Sequence, residues 1–294
     1  MVSSDLKHTL SLIPGISLNK EDSHAFIQVI YSYINEDDSS SLYTDYIRFD
    51  IKDFSYNKDI SLLKIAKNTF STEKIKLELI SNKTALIGNI NLKKLSPIKT
   101  NIFSPSVMGI FSYIPFMECY HSVVSMNHNL SGTIKLNDKE INFDEGKGYI
   151  EKDFGKSFPI KYIWIQSNNF KNKDTSLMVS IATIPFLKMK FKGLIAILNH
   201  NQEEYRFATY NFSKVKKLTI NENNVFIILQ KGRYKLKIEA KNKETRNLPS
   251  PKEGVMNQTI KEGLSGNVNI SLYHKNNLIY HDLGQCAGIE IMMD

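Results

Sequence analysis

Apolar and polar residues alternate with a period of two along several runs of this 294-residue chain. Ile75-Lys76-Leu77-Glu78-Leu79 does so, as do residues 234–240 and 267–273. That period sends successive side chains to opposite faces, one packed and one wet, as in antiparallel sheet. Short polar turns join such runs at hairpin spacing. Asn137-Asp138-Lys139 separates 133–136 from 140–143, and Gln230-Lys231-Gly232-Arg233 separates 225–229 from 234–238. Lys275-Asn276-Asn277 likewise separates 268–273 from 278–280. Helical periodicity is scarce. The best candidate is a short helix over 255–264, after Pro249 and Pro251 and ending near Gly263. Pro14-Gly15 and residues 105–109 read as turns. Stretches 35–42, 95–105 and 242–254 read as irregular, and the acidic, serine-rich run 35–41 as a solvated loop. Many short strands with polar turns predict an all-β chain of barrels or sandwiches with few short helices. No composition shift marks a boundary, and a division near residue 120 is expected, giving units 1–120 and 121–294.

Composition narrows the function classes. Apolar residues make up 41% and charged residues 23%, which is ordinary for a folded globular protein. The net charge of +8 comes from lysines scattered through the chain. A basic cluster interleaved with aromatics is lacking, so no nucleic-acid partner is expected, and the basic surface implies only a weak attraction to anionic membranes. Cys119 and Cys286 lack metal spacing and form no disulfide framework, so two thiols in a reducing compartment are expected. Residues 1–12 lack a charged-then-apolar signal pattern, and apolar stretches such as 25–34 are too short to span a bilayer. A cytoplasmic protein follows as the expectation. No Gly-rich phosphate cradle or G-x-S-x-G elbow is present, so nucleotide use and serine hydrolysis lack support. His121 has no second ligand at metal spacing, and Cys119 beside it has no third orienting group, so neither a metal site nor a thiol–imidazole dyad is expected.

The most informative stretch is residues 146–170, GKGYIEKDFGKSFPIKYIWIQSNNF. It reads as two short strands joined by a Gly-containing turn. In the first, Tyr149, Glu151 and Asp153 share a face, opposite Ile150, Lys152 and Phe154. In the second, Tyr162, Trp164, Gln166 and Asn168 share a face, opposite Ile163, Ile165 and Ser167. A polar-aromatic face backed by isoleucines predicts a lined pocket on one side and core on the other. Glu151 and Asp153 would lie about 7 Å apart by strand rise. Two acids in a partly dry pocket repel each other's charge, so one can hold its proton near neutral pH. A held proton beside Trp164 and Tyr162 suits protonation of an alkene, since aromatic faces stabilise the resulting cation by about 0.5–2 kcal/mol each. The plain alternative is that the acids form salt bridges and the aromatics fill a core.

This run resembles the signature of the tocopherol cyclase family, in which Glu-Lys-Asn-Trp-Gly precedes Phe-Pro and a Trp-x-Trp-x-Gln-x-Asn strand. Glu151, Lys152, Gly155, Phe158, Pro159, Trp164, Gln166 and Asn168 fall on matching positions. Asp153 stands for the asparagine, Phe154 for a tryptophan, and Tyr162 for the first strand tryptophan. More distantly, it is similar to the Gly-Tyr-x-Asp-His-Asn-Trp-Gly stretch of carotenoid 1,2-hydratases, with Glu151 in the aspartate's place. Residues 104–126, SIATIPF, YRFATYNF and the terminal AGIEI also resemble the bacterial branch of the family, from about Leu10 onward. The family usually opens with a Trp-Tyr-containing strand before the Ile13-Pro14-Gly15 region. This chain starts just after that point, so a first strand is truncated or lost and a barrel edge is exposed.

The resemblance implies two lipocalin-like antiparallel β units packed together, without metal or cofactor. It also implies an apolar prenylated small molecule as partner and proton-initiated cyclisation or hydration of a prenylated quinol or related isoprenoid, an intramolecular lyase or isomerase reaction. Glu151 becomes the candidate general acid, with Asp153 tuning it. Tyr149, Phe158, Tyr162 and Trp164 become lining residues, and Gln166, Asn168 and His121 would orient the oxygen. The competing expectation is a lipocalin-like protein that binds an apolar ligand without changing it.

Overall fold

The computed structural model describes residues 1–186 and 189–293. Strand-forming alternation decides nearly all of it. Three strands form a first antiparallel sheet, β1 (His8–Ser17), β2 (His24–Ile34) and β3 (Ser40–Phe49), in sequential order. A second ladder runs through β4 (Phe54–Asn57), β5 (Leu62–Ile65), β6 (Asn68–Phe70), β7 (Lys74–Ile80), β8 (Ala85–Lys93), β9 (Cys119–Leu136) and β10 (Lys139–Asn142). To it β11 (Lys147–Gly155) adds by pairing with the first half of β9. The third sheet takes β12 (Tyr162–Ser167), β13 (Ser176–Phe186), β14 (Met189–His200), β15 (Glu203–Ala208), β16 (Lys214–Asn221), β17 (Asn224–Lys231) and β18 (Tyr234–Lys241). It is completed by β19 (Arg246–Lys252), β20 (Val255–His274) and β21 (Asn277–Met292).

The architecture is therefore all-β, with antiparallel sheets of lipocalin-like sandwich character, none closed on itself. Helical structure among the described residues is limited to three single 3-10 turns, Ile51–Asp53, Gly109–Tyr113 and Thr209–Asn211. No helix among the described residues is long and apolar enough to cross a membrane. Residue 120 lies within β9, whose second half pairs with β8, and the ladder changes over after Gly155.

The three hairpins form as the alternation predicts, with two-residue loops. Leu136 pairs with Lys139, Lys231 with Tyr234 and His274 with Asn277. Asn137, Lys275 and Asn276 take the positive φ such tight turns require. Pro14-Gly15 is not a turn: it lies inside β1, opposite Ile27 and Phe26. β1 has a ladder partner on one side only, where a proline's missing N–H leaves no bond unmade. Residues 255–264 are not a helix either. They open the 20-residue strand β20, and part of the stretch read as irregular, 246–252, is its partner β19. Pro249 and Pro251 are tolerated because β19 pairs with β20 alone. The helical reading failed because Glu262, a buried acid, sits between Ile260 and Leu264 on the packed face and disguises the period of two.

Two cores fill the two halves. One gathers Leu10, Ile27, Leu86, Ile90, Leu130 and Phe143, and the other Ile163, Ile165, Val179, Phe207, Ile238 and Ile270. Smaller clusters join strands of the first two ladders to strands of the third. Ile30 and Leu42 meet Tyr162, Ile260 and Leu264, and Val107, Met108 and Val123 meet Met178 and Ile197. The candidate site lies between these two contacts.

Ile165 is fully buried in the second core. Ile165→Ala is expected to destabilise the protein by about 2–5 kcal/mol in urea unfolding. Ile279→Ala, at a position 47% exposed, should change stability by roughly 0.5 kcal/mol or less.

Candidate functional site

Side-chain direction in β11 is set by irregular pairing with β9. The register shifts between Gly148 and Ile150 and again between Ile150 and Glu151, so bulges re-aim the strand just before the acids. Beyond them Glu151 lies opposite Val123 and Asp153 opposite His121. Gly155 ends the strand at φ +155°, and a Cβ there would stand 2.1 Å from the carbonyl oxygen of Glu118. That close approach lets Lys156 and Ser157 donate their N–H groups to the same carbonyl and turns the chain towards Phe158. Phe158 is half-buried, its ring set edge-on to Tyr162 at 6.5 Å.

The two faces expected of β12 form as read. Ile163 and Ile165 enter the second core, while Tyr162, Trp164 and Gln166 look the other way. Trp164 lies against Gly288 of β21, where a Cβ would come within 2.7 Å of the indole ring. Its indole Nε1 donates to Glu151 Oε2 at 3.2 Å, and the Tyr149 hydroxyl donates to the same oxygen at 2.6 Å. The Tyr149 and Trp164 rings are 6.4 Å apart. His121 completes the group. Its Nδ1 is 2.7 Å from Asp153 Oδ1, and its Nε2 is 3.7 Å from Glu151 Oε2.

Glu151 thus touches Tyr149, Trp164 and His121, and Asp153 joins the group through His121. Asn168 stands apart from them: it is buried and donates to the Gly148 carbonyl at 2.7 Å, bracing the end of β12 against β11. Gln166 is buried, and its Nε2 has no hydrogen-bond partner; the same holds for His121 Nε2. Cys119 forms no pair with His121, whose ring is engaged by Asp153. Burial, and then the charges of Asp153, Glu151 and Glu118, push the Cys119 thiol well up.

Two further acids join from strands that sequence reading passed over. The Tyr162 hydroxyl donates to Glu290, which lies opposite Trp164 in the β12–β21 ladder. Glu262 lies opposite Glu290 in the β20–β21 ladder and is 5% exposed. Glu290 had a signal, since it belongs to the AGIEI run and alternates there with two isoleucines. Glu262 was concealed within the supposed helix.

Desolvation governs the charges. Burial pushes Glu151 up to about 7, assisted by Asp153 and opposed by His121, Tyr149 and Trp164. Burial likewise pushes Glu290 up to about 8 and Glu262 well above the carboxylate range, with Glu290 adding to the latter. Burial alone would lower His121, but the charge and hydrogen bond of Asp153, with Glu151 behind them, push it up to about 9. The arrangement therefore holds protonated carboxyls beside a protonated imidazole near neutral pH.

A cleft of about 40 Å³ lies one strand away. Ser180 and Ala182 on its floor are ladder partners of Trp164 and Tyr162, and Met108, Phe111 and Met117 form part of its wall. The His121 N–H contacts the Met108 sulfur at 3.1 Å, tying that wall to the acid group. A wider, open depression near Tyr31, Tyr43 and the turn at Asn137 lies away from these acids. Among the described residues, no group of three or more His, Cys, Asp or Glu side chains is arranged to hold a metal ion.

A family model described as tocopherol cyclase-like matches residues 97–292, which is 196 of the 294 residues. A search of curated proteins finds no match. Among solved structures, CghA in complex with Sch210972 aligns with a TM-score of 0.60 at 9% identity, covering 100% of this chain and 86% of its own. Kievitone hydratase from Nectria haematococca aligns with a TM-score of 0.51 at 11% identity, covering 99% of this chain and 91% of its own. At these identities the likeness is one of fold.

The buried acids also set a pH dependence of stability. Glu151, Glu262, Glu290 and His121 all have raised values in the folded state, so the native protein binds more protons than the unfolded chain. Stability from the carboxyls is fully present below about 4.5 and is lost as pH rises through about 7 to 8. That from His121 is present below 6.5 and is lost through about 9. The melting temperature is expected to fall between pH 5 and pH 9. Glu290→Gln, which is neutral throughout, should flatten that fall, and an unchanged slope in differential scanning calorimetry would count against a proton on Glu290.

Proposed function

The chain belongs to the tocopherol cyclase-like family, and from that premise we propose that it is a cofactor-free acid catalyst acting on an apolar isoprenoid. The carrying observation is Glu151: a carboxyl raised to about 7 by desolvation, held by Tyr149 and Trp164, with an imidazole behind it. A general acid works best when its pKa lies near the working pH.

In this reading Glu151 gives its proton to one carbon of a prenyl double bond, leaving a tertiary cation on the other carbon and a carboxylate on the protein. The faces of Trp164, Tyr149 and Tyr162 stabilise that cation. An internal phenol oxygen then forms the new C–O bond and its proton returns to the Glu151 carboxylate, so the net reaction is an isomerisation; capture by water instead gives a hydrated product, the water's surplus proton returning in the same way. Gln166, with an unused donor, orients the attacking oxygen. His121, held by Asp153, stands 3.7 Å from Glu151 and steadies the carboxylate that the transfer leaves. The substrate class is an apolar prenylated molecule such as a prenylated quinol.

A carrier has no use for such a group. Burying three carboxyls without pairing each to a cation lowers stability, and lipid binding requires none of them. The catalytic reading is therefore preferred to the non-catalytic one.

Purified protein incubated with prenylated quinols, with products followed by mass spectrometry, tests the proposal. Glu151→Gln should lower turnover about 10²- to 10⁴-fold. The rate should fall as pH rises through about 7, where Glu151 loses its proton. Undiminished turnover in Glu151→Gln would remove Glu151 from the role of acid. His121→Gln should lower the rate less and move the pH limb upward, because it removes the positive charge beside Glu151.

A further inference from the structure

Six large apolar side chains stand in water on the segments that wall the cleft: Ile102, Phe103, Ile110, Tyr113, Phe116 and Phe212. They come from two segments that are joined to one another. The Tyr113 hydroxyl donates to the Ile102 carbonyl, and the Tyr210 hydroxyl donates to the Val107 carbonyl. Arg206 bonds both Ser104 and the Lys99 carbonyl. The same segments supply Met108, Phe111, Met117 and Tyr210 to the cleft lining. The exposed rim and the cleft wall are one piece of chain.

Two features separate this rim from scattered surface hydrophobics. Phe116 is 97% exposed and Phe212 is 89% exposed, and both hold the left-handed backbone, φ +62° and +63°, that bulky residues rarely adopt. The fold maintains strained backbone at two aromatic tips that touch little of the protein. On these segments and the chain bonded to them, Lys99, Lys156, Lys190, Lys192 and Lys214 are exposed, against the exposed acids Glu118, Glu203 and Glu253. Lys190 and Lys192 flank Phe191, whose ring stacks on Phe111 of the cleft wall at 5.8 Å.

We propose that this rim docks on an anionic lipid surface, with its aromatic tips in the interface and the cleft mouth turned towards the bilayer. Protruding single rings suit insertion among lipid chains, whereas a protein interface is built from packed, mutually supporting side chains. Five lysines against three acids attract anionic headgroups, and the same excess repels a second copy of the chain. An apolar ligand could then pass from lipid to cleft without crossing water. The inference stands on the surface alone: vesicle binding needs neither Glu151 nor turnover, so it can fail or hold independently of the proposed chemistry.

Vesicle flotation decides it, with phosphatidylcholine vesicles compared with vesicles enriched in phosphatidylglycerol. The full chain should float with the anionic vesicles and bind neutral ones at least tenfold less. Phe103→Ser/Phe116→Ser should lower binding at least tenfold with an unchanged melting temperature, since both side chains are exposed. Lys190→Gln/Lys192→Gln should reduce the preference for anionic lipid, and Leu18→Ser, exposed elsewhere, should change nothing. Failure of the full chain to float, or flotation unaffected by the Phe103/Phe116 change, would overturn the proposal. So would a dimer in sedimentation that the Phe103/Phe116 change dissolves.

Discussion

Three carboxyl groups and one imidazole crowd together between two sets of sheets, Glu262 at 5% exposure and the Glu151 side chain at 26%, so their charges are poorly screened. Glu151, Glu262 and Glu290 lie on three different strands, each raised first by desolvation; Asp153 adds to Glu151, Glu151 and Asp153 add to Glu290, and Glu290 and Glu151 add to Glu262. Every unit of upward shift costs about 1.4 kcal/mol of folding free energy once the group ionises. The structure meets this by keeping protons rather than by adding cations. Among the described residues, His121 is the basic side chain that acts most on Glu151 and Glu290, and its own charge is held by the more exposed Asp153. The protonated state is thus a consequence of where the strands place the acids.

That placement needs both halves of the chain. β9 and β11 bring His121, Asp153 and Glu151, while β12, β20 and β21 bring Trp164, Glu262 and Glu290. The only direct bond between the two sets among these side chains runs from the Trp164 indole to Glu151. Its geometry depends on small residues elsewhere: Gly288 gives the indole its bed and Gly155 lets the turn after β11 fold onto Glu118. The apolar contacts on either side, around Tyr162 and around Met108, fix the spacing and exclude water. The geometry of the acid group and the inter-sheet packing are the same interaction viewed from two ends.

Much of this was legible in the sequence because strands write their two faces into alternate positions. The faces of β12, the hairpins at Asn137, Gly232 and Lys275, and the grouping of Tyr149, Glu151, Asp153, Trp164 and His121 follow from local pattern and one family-like run. What escaped depends on partners distant in sequence. Glu262 broke the alternation of β20 because an acid replaced an apolar residue on the packed face, and the run passed for a helix. Pro14 and Pro249 looked like breakers because nothing local shows that their strands have a ladder partner on one side only. Asn168 shared the expected face in sequence, but the chain leaves the ladder at Ser167, and its amide is spent on Gly148.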